Sequence, residues 1–184
     1  MTTFSSSKCG VKNPQDVLKA ARSGNILFLD FDGVCNSFNE GSYLTHEPDD
    51  YGMDMDIIER IKEICSERHA KIVITSNWRR FDSDGYWVYN GKNYFNPLPG
   101  LYRILGDRII GTLTTERYLS KSEALELWFE EHEEFQGRFA IVDDDPREGI
   151  QNNMRFRKHF WQTTPKYGLT ERIKEEIIDH LEDI

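Results

Sequence analysis

Cysteine is scarce and poorly spaced for structural use. The chain has three, Cys9, Cys35 and Cys65, an odd count without a CxxC pair, which argues against a disulfide framework and a zinc cluster. A reducing cytoplasm is the expected compartment. The five histidines show neither HxH nor HExxH spacing, so a zinc site is not expected either. No apolar run approaches the roughly 18 residues needed to span a bilayer. Met1 to Lys12 is polar and serine-rich, without the apolar core of a secretory signal. Basic charge is in deficit: 23 Lys and Arg against 32 Asp and Glu leave a net charge of -9. That balance disfavours broad attraction to nucleic acid, while leaving room for a local basic groove. Internal repeats and low-complexity tracts are lacking.

What remains is enough for one substantial core. The 184 residues, 38% hydrophobic and 30% charged, fit one soluble domain. The expected layout is a flexible tail at 1–12 and a single domain over 13–184 carrying an insert at 81–107. Within it, Ile26 to Val34 is the organising stretch. An apolar run stops at Asp30, repeats acid at Asp32 and breaks at Gly33, as a buried strand delivering carboxylates to a sheet edge would.

The pattern elsewhere alternates strand and helix. Asn13 to Gly24 reads as a short leading helix, and Asn36 to Gly52 as a loop or small flap. Asp54 caps a helix carrying Ile57, Ile58, Ile61, Ile64 and Cys65. Lys71 to Thr75 is a second buried strand. Asn90-Gly91 marks a two-residue hairpin between aromatic-rich segments. A brief helix over Leu101 to Leu105 and a strand over Arg108 to Leu113 follow. Ser120 and Glu123 stand in capping-box relation, which puts Lys121 in the first turn of a helix. Arg138 to Val142 and His159 to Gln162 are further strands, and Thr170 opens a last amphipathic helix. This is the grammar of an α/β fold with a mainly parallel sheet, whose ligands gather at the carboxyl ends of the strands.

Those ends carry polar residues: Asp30 and Asp32, Ser76, and Asp143-Asp144-Asp145, with Lys121 starting the helix before the last. Carboxylates from separated strands suit a hard cation such as Mg²⁺. A serine at a strand-to-helix turn and a nearby lysine suit a phosphate. Arg79 and Arg80, at the mouth of the second strand, could grip a distal phosphate; Trp78 and Cys35 read as packing residues. The aromatic hairpin, Tyr86 to Phe95, could stack on bases or simply pack across its strands. The basic run Arg155, Arg157, Lys158 and His159 reads as a solvated face.

Four segments, LDFDGV, IVITS, SKSEAL with Lys121, and IVDDD, occur in the order of the haloacid dehalogenase (HAD) superfamily of phosphohydrolases, which the chain resembles. DFDGVCN, TSNWR, VDDDP and QTTPKYGLT resemble more narrowly the HAD domains in, or related to, Swiss Army Knife RNA-repair proteins. The resemblance implies a three-layer αβα Rossmannoid, nearly capless, with a small aromatic hairpin insert. It implies a Mg²⁺-dependent phosphatase in which Asp30 is the nucleophile and Asp32 the general acid/base. Ser76 and the Asn77 backbone N–H would bind the phosphoryl group, and Lys121 would neutralise charge. Asp30, the Asp32 carbonyl and Asp144 would hold the metal, with Asp143 assisting or Asp145 replacing it if the register slips by one. The expected substrate is a polynucleotide or nucleotide phosphate. Alternatives are a small-molecule phosphatase, or a non-catalytic metal- and phosphate-binding module. No obligate protein partner is evident.

Overall fold

The computed structural model describes residues 24–37, 52–81, 86–89 and 92–182. The expected tail at 1–12, nearly all of the leading helix, and residues 38–51 of the expected flap lie outside the described residues.

Five short strands form one sheet: β1 (Ile26–Leu29), β2 (Lys71–Ile74), β5 (Ile109–Thr112), β6 (Phe139–Asp143) and β7 (Phe160–Gln162), in the order β5-β2-β1-β6-β7. Every pairing in it is parallel, with Leu29 opposite Ile74 on one side and Val142 on the other. The chain thus builds outward from β1 through β2 to β5, then returns to the other side of β1 with β6. That reversal creates a crevice beyond the carboxyl ends of β1 and β6.

Side-chain alternation divides the strands between two cores. Leu27, Leu29, Ile72, Ile74 and Val142 pack with α1 (Met55–Glu67), α2 (Leu98–Leu105) and α4 (Glu171–His180). Ile26, Phe28, Val73, Phe139 and Ile141 pack with α3 (Lys121–Glu131), against Trp128 and Phe129. The sheet is therefore covered on both faces, which is why its strands read as continuous apolar runs. Fully burying one such side chain contributes roughly 1.5–3 kcal/mol.

Helix starts follow the local chemistry. Asp54 accepts from the N–H groups of Asp56 and Ile57 at the start of α1. Ser120 and Glu123 form the reciprocal capping box of α3, and Thr170 caps α4. Between β2 and β5, β3 (Tyr86–Tyr89) and β4 (Lys92–Phe95) form a separate antiparallel pair with Tyr89 opposite Lys92, the register that a two-residue connection requires. Leu98, Leu101 and Leu105 of α2 join the main core. Among the described residues no helix is long and apolar enough to cross a membrane.

Candidate active site

Strand parity aims the carboxylates. Asp30 and Asp143 continue the series Ile26-Phe28 and Phe139-Ile141, both of which face α3. The N-terminus of α3 brings Lys121 to the same place. Its Nζ donates to Asp30 Oδ2 and Asp143 Oδ2, each at 2.6 Å, with all three side chains buried. Burial opposes the ammonium charge, but the two flanking carboxylates more than offset it and hold Lys121 protonated well above its ordinary range. One ammonium cannot neutralise both acids: burial first, then the charge of Asp30, pushes Asp143 upward.

Asp144 follows β6 and completes a group in which Asp30, Asp143 and Asp144 each offer an oxygen within 4.8 Å of the others. Burial and Asp30 push it up to about 6. Three hard oxygens whose repulsion Lys121 relieves only in part fit a divalent cation such as Mg²⁺, and none of the softer ligands that favour zinc is among them. Asp145 stands apart. It caps the turn at Pro146–Glu148, accepts the Arg147 N–H and pairs with the Arg147 guanidinium at 2.7 Å. The strand runs one residue past the expected Val142, to Asp143, and Asp143 and Asp144 are the two of the three acids that stand with Asp30 in the cluster.

The loop after β1 is drawn tight. Val34 and Cys35 N–H groups return to the Phe31 carbonyl, and the Asn36 side chain accepts the Gly33 N–H at 2.7 Å. Gly33 has φ +66°, and a Cβ there would lie 2.4 Å from Asp144 Oδ2. Thr163 donates to the Gly33 carbonyl at 2.7 Å and the Leu169 N–H to that of Val34. The segment QTTPKYGLT is thus a prop for this loop. Cys35, buried, donates to the Asp30 carbonyl at 3.3 Å.

Asp32 is held separately from Asp30. Trp78 Nε1 donates to its Oδ2 at 2.8 Å. Burial, then the Asp30 charge, raises Asp32 to about 6 against the lowering effect of Trp78 and Asn36. Trp78 is buried and packs as expected, but its N–H contact escaped the sequence reading, since an indole donor leaves no spacing signature.

Ser76, buried beyond β2, caps the turn Asn77–Arg80 by accepting the Trp78 N–H. Glu148 was also missed. Its carboxylate accepts the Lys121 backbone N–H at 2.9 Å and the Asn77 amide at 3.3 Å, linking the turn after β2 to the start of α3.

The two arginines part company. The Arg79 side chain is buried, donating to the carbonyls of Thr114, Thr75 and Ser76, so it braces the Ser76 turn, while its Nη2 is buried without a partner among the described residues. Burial, and then Arg80, lowers it to about 10, and it stays charged at neutral pH. Arg80 donates to the Leu119 carbonyl and lines an open cleft together with Asp32, Asn77, Trp78, Phe81 and Arg117.

A family model described as the HAD domain in Swiss Army Knife RNA repair proteins matches residues 26–173. No significant match was found among curated proteins or among solved structures. The matched span covers every strand of the main sheet and the whole carboxylate–lysine cluster, and the chain belongs to this family of HAD domains.

Proposed function

We propose that this domain is a HAD-type phosphatase, a Mg²⁺-dependent phosphoric monoester hydrolase acting through an aspartyl-phosphate on nucleic-acid ends or nucleotides. The observation that carries it is the division of labour at the β1 exit: Asp30 is paired with a buried ammonium, while Asp32, two residues on, is held by an indole N–H.

An Asp30 oxygen attacks phosphorus in line as the bond to the leaving oxygen breaks. Asp32, close to neutrality in its pKa, gives its proton to that oxygen. In the second half Asp32 takes a proton from water, whose oxygen attacks phosphorus and frees Asp30. Ser76 and the Asn77 N–H bind the phosphoryl oxygens, and Lys121 offsets their charge and that of the nucleophile. Asp30, Asp144 and the Asp32 carbonyl are the candidate Mg²⁺ ligands, with Asp143 orienting Lys121 and assisting. The metal's contribution when bound is to neutralise charge on the phosphoryl group. A passive phosphate-binding module has no need of a separately held acid at Asp32. The cytoplasm, a reducing compartment, suits Cys35 and Cys65, which are buried free thiols.

Mg²⁺-dependent release of phosphate from an aryl phosphate tests the chemistry: it disappears in Asp30→Asn and drops sharply in Asp32→Asn. Undiminished activity in Asp30→Asn would refute the nucleophile. A parallel screen of 3′- and 5′-phosphorylated oligonucleotides, nucleotides and sugar phosphates tests the substrate class.

A further inference from the structure

The cleft beside Asp32 measures about 440 Å³ and is lined by Asp32, Asn77, Trp78, Arg80, Phe81 and Arg117. That is the size of a small-molecule site. If Asp32 protonates the leaving oxygen, the cleft lies on the leaving-group side of the reacting phosphate.

Its charge is unusual for this protein. In a chain of net charge -9, two guanidinium groups meet at one cleft. Among the described residues neither Arg80 nor Arg117 forms an ion pair. Each makes one hydrogen bond to a backbone carbonyl, Arg80 to Leu119 at 2.9 Å and Arg117 to Arg80 at 3.4 Å. Arg80 Nε is buried and lacks a partner among the described residues. A guanidinium offers five N–H donors in a fork that matches phosphate oxygens, so among the described residues most of this donor capacity is unused. The cleft also has a flat apolar wall. Phe81 is 38% exposed, with the Arg117 guanidinium over its ring 5.8 Å from the centroid and the Trp78 ring tilted against it at 5.6 Å. An exposed ring beside cations suits stacking of a planar group.

We infer that this cleft is a second-phosphate subsite: the preferred substrate is a phosphomonoester whose leaving group carries another phosphate, gripped by Arg80 and Arg117, and a flat ring against Phe81. The chemistry is that of a nucleotide phosphorylated at both ends of its sugar, either free or as the terminal unit of a polynucleotide. The orientation of this ligand rests on the hydrolase mechanism above; its binding does not.

The test is therefore first one of binding. Calorimetric titration of the Asp30→Asn protein with Mg²⁺ compares adenosine 3′,5′-bisphosphate with the 3′- and 5′-monophosphates. The bisphosphate is expected to bind roughly tenfold or more tightly, the effect of one or two charge-assisted hydrogen bonds. Adding Arg117→Gln, a change at an exposed position, collapses that advantage, while Arg157→Gln, also exposed, leaves it intact. Equal affinities for bis- and monophosphates, or an advantage untouched by Arg117→Gln, overturn the subsite. A terminally phosphorylated dinucleotide binding more tightly than the bisphosphate identifies a polynucleotide end as the source, and the reverse order a free nucleotide; either order supports the subsite. In the wild-type protein the ratio of kcat/KM for bisphosphate over monophosphate falls with Arg117→Gln. Absence of any phosphate release, even from an aryl phosphate, defeats the hydrolase mechanism and leaves the binding comparison standing.

Discussion

The indole N–H of Trp78 donates to Asp32 Oδ2 at 2.8 Å, so the turn after β2 holds the residue assigned to proton transfer after β1. A hydrogen bond to a carboxylate favours its charged form, and Trp78 accordingly lowers an Asp32 pKa that burial and Asp30 have raised to about 6. Trp78→Phe keeps an aromatic ring, smaller than the indole, and removes the donor. The pKa of Asp32 then rises, the protonated acid persists to higher pH, and the corresponding limb of the pH–kcat profile moves upward. A tryptophan that served only as packing would leave that limb where it was.

Lys121 is the sole cation touching the buried pair Asp30 and Asp143 among the described residues. Lys121→Met leaves both carboxylates buried without it, and breaking a buried pair in this way costs about 3–5 kcal/mol. The loss of charge stabilisation should lower kcat roughly 10²–10³-fold. Combining Lys121→Met with Asp143→Asn removes one of the stranded charges, so urea denaturation should show part of the stability restored while turnover stays low. A Lys121→Met protein as stable as wild type would contradict the charge balance described here.

Much of this was legible in the sequence because it rests on short-range rules. The continuous apolar run Ile26-Leu27-Phe28-Leu29 placed the strand and put Asp30 at its exit. The Ser120–Glu123 capping box placed Lys121 at the first turn of α3. Contacts between distant loops were not legible. Glu148 meets Asn77 and Lys121 only because the turn after β6 folds back over the crevice. Trp78 reaches Asp32 across the gap between two strand ends. Arg79 and Arg80 are neighbours of one type in sequence, and only the turn Asn77–Arg80 separates a buried brace from a residue lining the cleft. Likewise Thr163 and Leu169 meet the Gly33-Val34 loop more than a hundred residues from it in sequence.

The metal assignment has a thermal signature. Asp144 has a folded-state pKa of about 6, above its ordinary value of 3.8, so the folded chain holds this proton more tightly than the unfolded one. Stability from this source is complete below about pH 4 and is lost as pH rises through 6. At pH 7.5 the metal-free fold therefore carries an unfavourable charge, and Asp144→Asn should raise its Tm. In wild type, Mg²⁺ at 100 times its Kd adds about 2.7 kcal/mol, roughly 5–10 °C for a chain of this size. The same addition should scarcely move Asp144→Asn. Differential scanning calorimetry with and without Mg²⁺ reads both effects; an equal Mg²⁺ shift in the two proteins would remove Asp144 from the ligand set.

Gly33 links the loop geometry to that same carboxylate. Its peptide is fastened on both sides, the N–H by Asn36 and the carbonyl by Thr163, so the chain cannot easily rotate to make room. A methyl group at φ +66° would meet Asp144 Oδ2 at 2.4 Å. Gly33→Ala thus carries two penalties, the left-handed backbone and the displacement of a candidate metal ligand. Gly106 provides the comparison, since its φ is +54° but a Cβ there meets nothing within 4 Å. Gly106→Ala should lose about 1–3 kcal/mol of stability from the backbone conformation alone, φ 54° and ψ -126°, with its Mg²⁺ dependence unchanged. Gly33→Ala should lose more and also weaken the apparent Mg²⁺ affinity, by about 10–100-fold, as disturbing a ligand's support does. Titrating Mg²⁺ against phosphate release and against Tm in both variants separates the penalties. If the two alanines behave alike toward Mg²⁺, the close approach of Gly33 to Asp144 has no role in holding the metal.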